Sequence, residues 1–125
     1  MVMATPTEKD IQFVQFIYDQ TQNGKLHWEA TADPAKFVVS FKGKYKVTLD
    51  KNYDEDRGKT YFYLTLLDDS ERELLTIFDS KLAVVKDLFY LAEREALKVD
   101  TAIDEIMGGG PSGSGKPITD EDIPF

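Results

Sequence analysis

The strongest chemistry in this chain lies in Asp120-Glu121-Asp122-Ile123-Pro124-Phe125, where three carboxylates run directly into two apolar residues and an aromatic one. In a chain that ends at Phe125, the α-carboxylate adds a further anion beside a large apolar ring. Pro124 fixes its own φ, so little conformational entropy is lost when the Pro-Phe pair enters a pocket. A carboxylate on Phe125 can pair bidentately with an arginine while Asp120, Glu121 and Asp122 lie along a basic ridge. The pattern predicts a docking peptide. A solubilising acidic tail would act through charge alone and would have no use for Ile-Pro-Phe.

The same six residues resemble the acidic tip of bacterial single-stranded DNA-binding proteins, which end in a run of Asp followed by Ile-Pro-Phe. Glu121 stands where the best-known tips carry Asp, and the resemblance covers six of 125 residues. It implies partners that recognise such tips: helicases, exonucleases, recombination mediators and replicase subunits. The implied function is that of a bacterial or phage accessory protein of DNA replication and repair, recruiting or competing for genome-maintenance proteins. Proteins of that family begin with a five-stranded oligonucleotide-binding barrel, whereas this chain begins with a helical pattern. Single-strand binding therefore does not carry over to the body. The competing expectation is a non-enzymatic interaction or assembly module whose tail is autoinhibitory, incidental or engineered. The segment from Ala96 to Ile106 also resembles small uncharacterised bacterial α+β proteins, which assigns no activity.

In the body, Lys42, Lys44 and Lys46 share one strand parity, and Tyr61, Phe62 and Tyr63 lie on a later strand. Lysines and Tyr61 or Tyr63 on one sheet face would grip single-stranded DNA by charge and stacking. Alternating lysines equally describe a solvent face or a protected edge. Phe13 and Phe16 fall off the apolar stripe of their helix, which leaves two roles: packing under a neighbouring loop, or a surface for self-association or a partner.

Other motifs fail on their neighbours. Gly110-Pro111-Ser112-Gly113-Ser114-Gly115-Lys116 spells a phosphate-binding loop, but Pro117 stands where a magnesium-binding Ser or Thr is needed, and a helix rather than a strand precedes it. Asp50 to Gly58 places oxygen ligands at alternate positions as a calcium loop does. Glu55 occupies the place of the turn glycine and Tyr61 that of the bidentate Glu, so a solvated acidic loop is expected. His27 is the only histidine and no cysteine is present, so no nucleophile–base set forms; no catalytic residue, metal or cofactor is expected. Trp28 reads as a core anchor.

The chain has a net charge of −8; the part from Gly108 onward carries three carboxylates and one lysine, leaving −6 on the body. An acidic body argues against nonspecific duplex binding. The absence of cysteine excludes disulfides and thiolate metal sites and suits a cytoplasmic location. No stretch approaches the roughly 20 apolar residues that span a bilayer, so no membrane partner is expected.

The elements that must carry these residues follow from periodicity. Thr7 is placed as an N-cap with Asp10 three residues on. Ile11, Val14, Ile17, Tyr18 and Thr21 then share a helix face that Asn23-Gly24 ends. Strand patterns cover Leu26 to Thr31, Phe37 to Phe41, Tyr45 to Leu49, Thr60 to Leu67 and Glu73 to Phe78. A three-residue connection through Lys42-Gly43-Lys44 keeps Phe41 beside Tyr45; the alternative is one long strand bent at Gly43. A final helix from about Ser80 carries Leu82, Val85, Leu88, Phe89, Ala92, Ala96, Val99, Ile103 and Ile106 on one stripe, as a single helix or as two broken near Lys98. The order predicts an α+β fold: an N-terminal helix, an antiparallel meander of four to five strands, a C-terminal helix packed on the sheet, and then a disordered tail. The expected organisation is a flexible N-terminus over 1–6, one domain over 7–107, a Gly/Ser/Pro-rich linker over 108–119 and the docking peptide over 120–125. Twelve such linker residues give a root-mean-square span of roughly 20 Å.

Overall fold

Thr7 and Asp10 begin the fold as expected. Asp10 N–H donates to Thr7 Oγ1 at 3.1 Å, and Thr7 N–H donates to Asp10 Oδ2 at 2.9 Å. This reciprocal box satisfies two donors that a helix start leaves unpaired. The computed structural model describes residues 5–108. The docking peptide, all of the expected linker except Gly108, and residues 1–4 lie outside the described residues.

The order is α1 (Glu8–Gln22), β1 (Glu29–Ala30), β2 (Lys36–Phe41), β3 (Tyr45–Asp54), β4 (Lys59–Leu67), β5 (Glu73–Phe78), α2 (Val84–Ala96) and α3 (Val99–Ile106). The strands form one antiparallel sheet in sequence order, β1-β2-β3-β4-β5. The β2–β3 register pairs Phe41 with Tyr45, so the longer connection is the one adopted, with Lys42 and Gly43 both at positive φ. Gly43 meets this conformation at no steric cost; Lys42 does not.

That register sends Phe37, Val39, Val47, Leu49, Phe62, Leu64 and Ile77 to one sheet face, where they meet Val14 and Ile17 of α1 and Val85, Leu88, Phe89 and Ala92 of α2. Period-2 and period-3.6 apolar positions thereby face one another, and each fully buried large side chain contributes roughly 1.5–3 kcal/mol. Helix α2 packs against β1 to β4, and α1 lies against α2.

Three features depart from the sequence pattern. The first strand shrinks to two residues, because Trp28 turns into the core and is 1% exposed, taking His27 out of any strand. Ile11 stays 44% exposed although it shares the α1 stripe. The C-terminal helix starts at Val84 rather than near Ser80: Lys81 and Leu82 N–H both donate to Phe78 O, closing a turn first. Of the two expectations for the C-terminal stripe, the broken one is adopted: Lys98 takes a left-handed conformation with φ 54° and separates α2 from α3. The stripe beyond the break contributes nothing to the core, since α3 buries no side chain.

Trp28 is held by a relay. Its Nε1–H donates to Thr21 Oγ1 at 2.9 Å, and that hydroxyl donates to Ile17 O at 2.7 Å. Thr21→Val keeps the shape but leaves the buried indole N–H without an acceptor. The substitution is expected to cost about 1–3 kcal/mol in urea unfolding. It should cost much less in a Trp28→Phe background, where no indole donor remains.

Candidate functional site

Cross-strand register also decides which polar side chains share the second sheet face, on which no described helix packs. Successive rows across it are Ser40, Lys46 and Leu67; Val38, Thr48, Thr65 and Thr76; Lys36, Asp50, Tyr63 and Phe78; and Asn52 with Tyr61. Thr48 and Thr65 lie deep between taller neighbours, at 4% and 7% exposure.

Three half-buried aromatic rings dominate one end of this face. Tyr61 and Tyr63 stack with centroids 6.2 Å apart, and Phe78 joins both at 5.8 and 5.1 Å. Alternate residues of β4 bring the tyrosines onto one face, and the β4–β5 register sets Phe78 opposite Tyr63. Asn52 Nδ2 donates to Tyr63 Oη at 3.2 Å, and the Lys36 ammonium stands 3.9 Å from Asp50 Oδ2. Beside the rings a cleft of 380 Å³ opens between the β3–β4 turn and the end of β5, lined by Asp54, Arg57, Lys59, Tyr61, Phe78 and Asp79, with Ser80.

Electrostatics keep this patch close to neutral. Burial raises the Tyr63 phenol above its ordinary range, and the neighbouring Asp50 carboxylate and Tyr61 phenol add to the shift. The phenol is therefore neutral and available as a hydrogen-bond donor at pH 7. Burial also raises the Asp50 carboxyl, with the Lys36 charge and the Thr48 hydroxyl opposing it in part. Asp68, by contrast, is held below the ordinary carboxylate range, chiefly by the Arg72 backbone N–H. It caps the β4–β5 turn, accepting from the backbones of Ser70 and Arg72 and from the Arg72 guanidinium.

The expected lysine and tyrosine groups are only partly brought together. Lys42 and Lys44 lie in the β2–β3 turn, and the Lys44 ammonium sits over the Tyr45 ring, 5.5 Å from its centroid, on the helix-covered side of the sheet. Lys46 shares the open face with Tyr61 and Tyr63, but it lies four strand residues from the Tyr63 row, about 13 Å. Its ammonium pairs with Glu71 at 2.5 Å. The sequence reading missed Phe78, Lys36 and Asn52 because cross-strand register, rather than parity along one strand, puts them beside the tyrosines.

Phe13 packs against the core and Phe16 is 53% exposed, so the two do not form one patch of equal exposure. His27 is exposed, with Nδ1 3.4 Å from Glu95 Oε1. The expected acidic loop shortens to residues 55–58, because β3 runs on to Asp54. Asp54 Oδ1 then accepts from the Asp56 and Arg57 N–H groups, which turns the chain. Among the described residues no cluster of three or more His, Cys, Asp or Glu is placed to hold a metal ion, and no helix is long and apolar enough to cross a membrane. Comparison with protein-family models, curated proteins and solved structures gave no match to this chain.

Asp50 supplies a pH test of this face. The folded state holds the Asp50 proton to a higher pH than the unfolded chain, whose carboxyl titrates near 3.9. Folding thus takes up a proton between about 3.9 and the raised folded value, and this group's contribution to stability falls as pH rises through that interval. Asp50→Asn should therefore raise the urea midpoint at pH 7 and give a smaller gain, or none, at pH 3. An equal or larger gain at pH 3 would show that Asp50 ionisation carries no penalty in the fold.

Proposed function

We propose that this protein is a bacterial or phage accessory factor of DNA replication and repair, in which an α+β body carries a C-terminal docking peptide. The peptide recruits, or competes for, genome-maintenance proteins that recognise the tip of single-stranded DNA-binding proteins. One observation supports the reading: the order Asp120-Glu121-Asp122-Ile123-Pro124-Phe125 joins an acidic run to an apolar, aromatic end. No catalytic step is assigned to the body.

The test separates docking from bulk charge. With a chain ending at Phe125, deletion of that residue removes the aromatic anchor and moves the carboxylate out of register with its basic partner. A loss of about 2 kcal/mol, roughly thirtyfold in affinity, is expected toward a helicase or exonuclease known to bind such tips. Asp122→Asn should cost less and mainly at low salt, because rim charges chiefly steer association. Adding one Gly after Phe125 should weaken binding with every side chain retained. Equal affinity of the parent chain and the Phe125 deletion would eliminate the docking reading.

A second activity, weak single-stranded DNA binding by the body, is supported by the Tyr61, Tyr63 and Phe78 layer on the uncovered face. Stacking of bases on exposed aromatic rings contributes about 1–3 kcal/mol per base. Fluorescence anisotropy of a short oligothymidine should rise at low salt with a chain truncated after Gly108, more than with duplex of equal length. The rise should diminish at least several-fold in Tyr61→Ala. If Lys42→Ala and Lys44→Ala abolish the signal while Tyr61→Ala leaves it intact, the turn lysines rather than the rings make the contact.

A further inference from the structure

Helix α3 is amphipathic, yet none of its residues is fully buried, and only Val99 is half-buried. On helical spacing Val99, Ile103 and Ile106 form one stripe with Met107 beside it; Asp100 and Asp104 border one side and Glu105 the other. Ile103, Ile106 and Met107 are 39%, 63% and 56% exposed. The cause is Lys98, whose left-handed conformation redirects a stripe that would otherwise continue along α2.

Near its start the stripe meets a groove. Tyr18 of α1, Tyr90 and Leu91 of α2, and Leu97 and Val99 line a cleft of 500 Å³, with Asp87, Glu93 and Arg94 at its margin. Arg94 and Lys98 are already engaged, the Arg94 guanidinium 2.6 Å from Asp100 and the Lys98 ammonium 3.2 Å from Glu95, and the Lys51 ammonium lies over the Tyr90 ring, 5.9 Å from its centroid. Asp87, Glu93, Asp104 and Glu105 have no ion-pair partner among the described residues.

We propose that this groove and the apolar stripe of α3 form a docking surface for a basic amphipathic helix of another protein. An apolar seam between helices takes the anchors of an incoming helix at i, i+3, i+4 and i+7. The four carboxylates select lysine- or arginine-bearing flanks for that helix. Charge decides against the other occupants. A second copy would set one acidic α3 against another, and an anionic lipid surface would be repelled in the same way. The surface does not involve Asp120–Phe125, so this inference stands apart from the docking-peptide reading.

The full chain is titrated with a labelled 18-residue Leu/Lys peptide patterned as an amphipathic helix, and with a scrambled peptide of the same composition. The patterned peptide should bind at least tenfold more tightly. Ile103→Ser with Ile106→Ser should weaken it tenfold or more, as should Asp104→Lys with Glu105→Lys. These side chains are exposed, so the thermal transition should stay in place, and deletion of Phe125 should leave this affinity unchanged. Equal binding of the scrambled peptide, or indifference to Ile103→Ser with Ile106→Ser, would reduce the effect to bulk charge and overturn the proposal. Concentration-dependent dimerisation abolished by the same pair would assign the face to a second copy instead. Tighter binding to phosphatidylglycerol vesicles than to the patterned peptide would assign it to a membrane.

Discussion

Phe89 is the contact on which the arrangement depends. Its ring lies 5.4 Å from Phe37 and 5.3 Å from Phe62, in edge and tilted orientations that suit the ring quadrupoles. Phe37 belongs to β2 and Phe62 to β4, with β3 between them, so one residue of α2 fixes the helix across three strands. Tyr90, the next residue, closes on Phe62 at 5.5 Å and on Phe89 at 5.6 Å. Once this aromatic wedge is seated, every apolar residue of the same strand parity is committed to the helix side. A one-residue register slip would move the whole set to the other face.

That commitment produces both surfaces to which roles are assigned. The side chains of opposite parity, including Tyr61, Tyr63 and Phe78, are left on a face that no described helix covers. Helix α2 is consumed by the wedge and by its contacts with β1 to β4, whereas α3, beyond the break at Lys98, makes its main contact among the described elements with α2. The second sheet face and the α3 stripe are thus both remainders of one packing choice. Both carry large apolar groups at partial exposure, a condition soluble domains keep small unless something binds there.

Most of the fold is legible in the sequence because its elements are strongly periodic. The capping box at Thr7, the alternation through Phe37, Val39 and Phe41, and the Phe41–Tyr45 register all follow from local chemistry. Positions decided by competition over distance are not legible in the same way. Trp28 sits in a strand-like run, yet its indole is drawn to Thr21, which truncates β1. The stripe through Val99 and Ile106 looks like more core lid; a break near Lys98 is one of two readings of it, but nothing local in Leu97-Lys98-Val99 says that the backbone will turn left-handed there. Among the candidate site residues, parity along one strand grouped Tyr61 with Tyr63 correctly. It could not place Phe78 beside them, and it put Lys42 and Lys44 on a strand that had already ended in a turn.

Charge pairing separates the kinds of recognition this chain can perform. On the uncovered sheet face Lys36 is matched to Asp50, Lys46 to Glu71 and Arg57 to Asp54, which leaves Lys59 as the one cation there without an ion-pair partner among the described residues. A polyanion reaching this face would find about one free charge, and the salt dependence of a single-strand complex scales with the number of phosphates neutralised, at roughly 0.7 per phosphate. Binding there must rest on ring stacking, and a steep salt slope would point to a different surface. The groove beside α3 has the opposite balance: Asp87, Glu93, Asp104 and Glu105 have no ion-pair partner among the described residues, against the Lys51 ammonium over Tyr90. On the proposed readings the two faces of one acidic body would therefore engage partners by different physics: base stacking with little phosphate neutralisation on the sheet, and cationic, amphipathic contact beside α3.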